Sequence, residues 1–105
     1  MTEFRTMRRK RQELTETECT EILEKATSGV LSLLGDDGYP YGVPITPVLV
    51  GRKLYFHSAI KGHKVDAIRN SDKASFTVID RNDVKPKEFT TYFRSVICFG
   101  KVRLI

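Results

Sequence analysis

Residues 54–65 read Leu54-Tyr55-Phe56-His57-Ser58-Ala59-Ile60-Lys61-Gly62-His63-Lys64-Val65. Leu54-Tyr55-Phe56 favours a strand, because aromatic and apolar side chains pack well on a pleated, half-buried surface. Lys53–Ser58 therefore reads as a strand with a polar end, Ala59–His63 as a loop, and Lys64–Asn70 as a short helix with Val65, Ala67 and Ile68 apolar. A helix N-terminus carries unpaired backbone N–H groups and a partial positive charge. Gly62 permits a positive φ or a close backbone approach, and Lys61, His63 and Lys64 add charge. Together these residues predict a phosphate cradle. They equally suit a polar surface loop with solvated lysines. The stretch is not a Walker A loop, which requires G-x-x-x-x-G-K-[ST].

Working towards the N-terminus, Gly51-Arg52 makes a tight connection to an extended segment, Tyr39 to Val50, that contains Pro40, Pro44 and Pro47. Proline has no ladder donor, so this segment belongs at an edge, at a bulge or beside a ligand. Val30–Leu34 is a short apolar strand closed by the turn Gly35-Asp36-Asp37-Gly38. Before it, a helix is predicted from Glu16 to Ser28. Thr15 and Glu18 have capping-box spacing, and Leu14 is placed to staple onto Cys19. Cys19, Ile22, Leu23 and Ala26 make one apolar stripe, and Gly29 takes the usual position of a helix-ending glycine.

Towards the C-terminus, Ala74–Ile79 is a further strand and Asp80–Lys87 a polar loop containing Pro86. Phe89–Tyr92 and Ser95–Ile105 predict a last long hairpin or bent strand. Five or six closely spaced strands with two helices favour an antiparallel sheet or barrel over βαβ units. Lys101-Val102-Arg103-Leu104-Ile105 ends strand-like, with no turn or cap, and this predicts a chain that continues further.

A length of 105 residues suits one domain. With 40% hydrophobic and 30% charged residues, the composition excludes collagen, low-complexity and disordered classes. No apolar run approaches bilayer length, so no membrane partner is expected. The basic start is followed by polar sequence rather than a secretory core. Two cysteines, Cys19 and Cys98, are too few for a disulfide scaffold and fit free thiols in a cytoplasmic protein. Residues 1–12 hold five of the 18 basic residues against one acid, a basic arm, and the domain over 13–105 keeps a net charge of only +1. The arm suits a solvated tail. Nucleic-acid contact through it is the less favoured reading, because the domain is nearly neutral and has no helix-turn-helix pattern.

His57 and His63 lack helical metal spacing and a third ligand, so no metal site is expected. No G-x-S-x-G is present. Cys98, within Val96-Ile97-Cys98-Phe99, and Cys19, on the helix stripe, read as inert buried thiols. Tyr39 and Tyr41 flank Pro40, where they suit either stacking on a planar ligand or plain turn positions.

The series Gly38-Tyr39-Pro40-Tyr41-Gly42-Val43-Pro44, Leu54 to Ala59, Gly62-His63-Lys64, then Ser95-Val96 with Phe99-Gly100, resembles the pyridoxamine 5′-phosphate oxidase-like family of FMN-binding split barrels, and within it the nitroimidazole-resistance branch. The resemblance implies a mainly β fold: a six-stranded antiparallel Greek-key barrel with flanking helices, here lacking its C-terminal part. It implies a homodimer with FMN at the interface. Val43, Pro44, Ile45 and Thr46 would contact the flavin ring. Phe56, His57 and Ser58 would line the ring and ribityl chain. Gly62, His63 and Lys64 would hold the phosphate, and Ser95 and Val96 would approach from the last strand. The implied function is a flavin-dependent oxidoreductase reducing a small, electron-poor substrate such as a nitroaromatic, with His57 the candidate catalytic acid. The alternative is a flavin or haem binding module without turnover. Many relatives carry Arg where His63 stands, and histidine cannot grip phosphate bidentately. The C-terminal Arg and His that hold pyridoxal phosphate in the true oxidases have no counterpart, so vitamin B6 oxidation is not expected.

Overall fold

Helix α1 runs from Glu16 to Lys25. It starts where local chemistry dictates: Glu18 N–H donates to Thr15 Oγ1 at 3.1 Å, and Thr15 N–H donates to Glu18 Oε1 at 3.0 Å. This reciprocal box satisfies two otherwise orphaned donors. Ile22 is buried, and Leu14, Cys19, Leu23 and Ala26 pack beside it on the core. The computed structural model to which these observations belong describes Arg5 and residues 13–85 and 90–105, with the side chains of all of these except 81–85 and 90–93. Apart from Arg5, the basic arm lies outside the described residues, as do Pro86 and Phe89.

The helix is shorter than its predicted span, and Gly29 does not cap it. Ala26 is the C-cap, in an extended conformation, and Gly29 opens the first strand, β1 (Gly29–Leu34). Glycine is required there for a different reason. A Cβ at Gly29 would lie 2.4 Å from Phe76 Cζ and 2.7 Å from the Thr77 carbonyl oxygen.

Among the described residues five further strands follow: β2 (Pro40–Ile45), β3 (Pro47–Val50), β4 (Lys53–Phe56), β5 (Lys73–Lys85) and β6 (Thr90–Lys101). The second helix, α2 (His63–Asn70), joins β4 to β5. Four strands form one sheet in the order β2-β1-β5-β6, and β3 pairs with β4 as a separate hairpin. Every pairing among the described residues is antiparallel. The chain leaves the sheet at β2, makes the hairpin and α2, and returns as β5 beside β1, the long return that marks Greek-key topologies. This is the mainly antiparallel, two-helix architecture of a split barrel. No helix among the described residues is long and apolar enough to cross a membrane.

Registers explain which residues make the core. Leu31 pairs with both Val43 and Phe76, Phe76 with Cys98, and Val78 with Val96. Alternation puts all of these on one face, where Leu31, Leu33, Phe76, Val78 and Val96 are buried with Ile22 of α1 and Ala67 of α2. Each of the larger side chains, Ala67 excepted, contributes about 1.5–3 kcal/mol by leaving water. The prolines sit where a missing donor is tolerated: Pro40 and Pro44 on edge strand β2, and Pro47 at the start of β3.

Three predicted boundaries change. The extended segment Tyr39–Val50 divides at Thr46 into two strands belonging to different sheets. The predicted Asp80–Lys87 loop is strand as far as Lys85, because β5 passes through a register shift between Ile79 and Arg81 and goes on pairing with β6. The last strand is continuous from Thr90 and stops at Lys101. After it, Val102 N–H donates to the Asp72 carbonyl oxygen at 2.7 Å.

Candidate functional site

The end of β4, the loop after it and the start of α2 are consecutive in sequence, and they come together at the mouth of an open cleft of about 1350 Å³. Ile45, Phe56, His57, Ser58, Lys64 and Val96 all line it. Its floor is the inner face of the sheet at Leu31, Phe76 and Cys98, and α1 supplies Cys19 and Leu23 to one wall. Phe56 is held by Phe76, with ring centroids 5.0 Å apart at 54°, a tilted arrangement that suits the ring quadrupoles.

Opening α2 at this cleft depends on Gly62. It is the N-cap residue, with φ 131° and ψ 180° and no side-chain capping hydrogen bond. A side chain rarely adopts that φ, so glycine is the residue the turn needs. The first helical bond, from Asp66 N–H to the Gly62 carbonyl at 3.0 Å, leaves the N–H groups of the preceding residues without helical partners. Lys64 is half-buried on the cleft side.

Val43, Pro44, Thr46, Gly62, His63 and Ser95 do not line the cleft. Val43 lies half-buried on the inner face opposite Leu31, and Thr46 is the exposed link between β2 and β3. Pro44 pairs with Val30, and Ser95 with Ile79, which places both on the outer face of the sheet. Ser58 Oγ donates to the Ala59 carbonyl at 2.9 Å, and His57 is exposed beside it.

His63 turns the other way. Its ring stacks on Tyr41 with centroids 3.8 Å apart and planes 20° apart, and its Nε2 lies 3.7 Å from Asp36 Oδ2. Of the two tyrosines beside Pro40, Tyr41 thus stacks on a histidine of this chain, whereas Tyr39 is 74% exposed. Sequence reading could not assign Asp36 and Tyr41 to this cluster, because both belong to an ordinary turn and strand until α2 folds onto them.

Two thiols face the cleft that sequence treated only as core. Burial raises the pKa of Cys19, with the neighbouring Glu18 adding to it. Burial raises that of Cys98 too, and the proximity of Cys19 reinforces the effect. Across the β5 register shift, Arg94 Nε stands 3.0 Å from Asp80 Oδ2, close enough to pair but off-angle for a hydrogen bond. No group of three or more metal-ligating side chains occurs among the described residues.

Comparison with known proteins bears on this fold. The family described as pyridoxamine 5′-phosphate oxidase matches residues 15–105. No curated protein matches the chain. Among solved structures, a candidate 5-nitroimidazole antibiotic resistance protein from Bacteroides thetaiotaomicron superposes with a TM-score of 0.75 at 22% identity, over 87% of this chain and 56% of its own. A conserved hypothetical protein from Mycobacterium tuberculosis superposes with a TM-score of 0.77 at 21% identity, over 91% of this chain and 56% of its own. The chain therefore spans little more than half the length of either neighbour, and at these identities the likeness concerns the fold. The family match runs from the capping threonine of α1 to the last residue, so the chain belongs to the pyridoxamine 5′-phosphate oxidase family.

Proposed function

We propose that the chain binds FMN, with the phosphate at the start of α2 and the ring system in the cleft. The observation that carries this reading is the pairing of an uncapped helix N-terminus with Lys64 at the mouth of an apolar cleft. Backbone N–H groups and an ammonium suit a phosphate dianion. Phe56, Ile45 and Val96 suit a planar ring, and His57 and Ser58 suit the polar ribityl chain. Bound flavin supplies the electron transfer, while the protein supplies position and electrostatics. The substrate class we assign is a small, flat, electron-poor acceptor stacked on the ring. The name of the Bacteroides neighbour makes nitroaromatics the first acceptors to try. His57, exposed at the cleft mouth, is the residue we assign as proton donor to such an acceptor.

The functional form in this reading is a homodimer. Pro44, Val30, Thr77 and Ile97 follow one another in register across the outer face of the sheet. Val30, Ile79 and Ile97 are 38%, 58% and 57% exposed. An apolar sheet face of this kind suits burial against a second copy. Pro44 and Ser95 lie on it, so their assignment to the cofactor requires that the partner's outer face meet the cleft.

Titration of FMN against the chain, followed by quenching of flavin fluorescence, tests the proposal. Lys64→Ala should weaken FMN binding roughly tenfold, the scale of one charge-assisted hydrogen bond. Unchanged affinity would remove the phosphate assignment. FMN bound with no turnover of any nitroaromatic would favour the binding-module reading.

A further inference from the structure

We infer that the His63 side chain is a positioning residue: it clamps the start of α2 to the β1–β2 turn through Tyr41 and Asp36, and so sets the phosphate affinity of the cleft without touching the phosphate. The inference rests on the flavin reading for its ligand, whereas the clamp belongs to the protein alone.

Three segments meet at the imidazole: the turn after β1, which carries Gly35 and Asp36, strand β2 through Tyr41, and α2, whose first residue is His63. The stack on Tyr41 is close and nearly parallel, at 3.8 Å and 20°. The Asp36 carboxylate, 3.7 Å from Nε2, stands on a side chain 80% exposed, so it is the weaker partner. Gly35 makes room for the assembly. A Cβ there would come within 2.8 Å of the Tyr39 carbonyl oxygen, 3.0 Å of Tyr41 Cβ and 3.4 Å of His63 Nε2.

The consequence follows from adjacency. His63 and Lys64 are consecutive, but Lys64 lines the cleft and His63 does not. An imidazole fixed on the turn side holds its own backbone N–H and that of Lys64 in one place relative to the cleft. Gly62, which precedes them, has no side chain that could do this, and no side chain caps the helix. Fixing donors before the ligand arrives lowers the ordering cost of binding. The anchor matters more because α2 has only 8 residues.

Tyr41→Leu in the full chain removes the stack and keeps apolar volume against the core. Tyr41→Phe keeps the stack. Riboflavin is the control ligand, since it has the same ring system and no phosphate. Tyr41→Leu should raise the dissociation constant for FMN roughly three- to tenfold, the range expected for an aromatic stack, and leave riboflavin within about twofold. Tyr41→Phe should leave both unchanged. In the ligand-free chain, the His63 ring protons should be shifted upfield by the Tyr41 ring current in wild type and Tyr41→Phe, and return to ordinary positions in Tyr41→Leu. The inference is overturned if Tyr41→Leu leaves FMN affinity unchanged, or weakens FMN and riboflavin in equal proportion. It is equally overturned if the His63 ring protons carry no ring-current shift in wild type. A wild-type chain that binds neither flavin overturns the proposed function, and the ring-current measurement then decides the clamp by itself.

Discussion

Gly29→Ala should destabilise the fold and disturb the cleft, although alanine is an ordinary strand residue. The added methyl carbon would stand 2.4 Å from Phe76 Cζ, 2.9 Å from Phe76 Cε2 and 2.7 Å from the Thr77 carbonyl oxygen. Phe76 is 3% exposed in the middle of the core, so its ring cannot swing aside freely. The Thr77 carbonyl belongs to the β5 backbone next to β1 and cannot move without shifting the ladder. Overpacking of this kind costs about 1–3 kcal/mol. Reduced freedom of the unfolded chain returns about 0.4–1 kcal/mol. The middle of these ranges gives a net loss of about 1.3 kcal/mol, and for a domain near this size each kcal/mol lowers Tm by roughly 4–8 °C. Urea titration with far-UV circular dichroism measures the loss. Phe76 also supports Phe56 at 5.0 Å, so FMN affinity should fall with stability. The double variant Gly29→Ala/Phe76→Leu should be less destabilised than the sum of the two changes, because the ring atoms that clash are gone. Gly29→Ala at or above wild-type stability would refute the close approach of β1 and β5.

Three other predictions concern capping and protonation. Thr15→Ala should cost about 1 kcal/mol through loss of the N-cap, measured by the same urea titration. Hydrogen bonding from the Thr15 backbone and then its hydroxyl lowers the Glu18 pKa from 4.5. The part of the box made by the Glu18 carboxylate is therefore complete above that value and is lost as pH falls through the lower, folded one, while the bond to the Thr15 hydroxyl does not titrate; a Glu18→Gln chain should show a flatter acid limb in a pH series. Burial holds both thiols above their ordinary value of 9.0. Their contribution to stability is complete below pH 9.0 and is lost as pH rises through the raised values. At pH 8 a disulfide-exchange reagent should label Cys19 and Cys98 more slowly than free cysteine, and urea should abolish the difference. Labelling of the folded chain as fast as free cysteine would contradict the burial.

Legibility in the sequence followed the range of the interaction involved. The start of α1 was readable because Thr15 and Glu18 are partners three residues apart. The strand-loop-helix that presents Lys64 was readable because its parts are contiguous. Gly29 reads as a helix end in the sequence because a helix-ending glycine and a strand glycine have the same local surroundings, and only Phe76 on another strand distinguishes them. The polar stretch from Asp80 lacks the alternation that marks a half-buried strand, and the pairing with β6 that makes it one is non-local. The direction of His63 was illegible for the same reason: Asp36 and Tyr41 lie on a different hairpin. The outer-face positions of Pro44 and Ser95 follow from register alone, which motif spacing does not fix.

Cofactor binding is tested most directly by mixing the purified chain with FMN and passing it over a sizing column, with absorbance recorded at protein and flavin wavelengths. The proposed function predicts a flavin spectrum, shifted from that of free FMN, eluting with the protein at the volume of a dimer. FMN eluting wholly apart from the protein, with its spectrum unchanged, would contradict it.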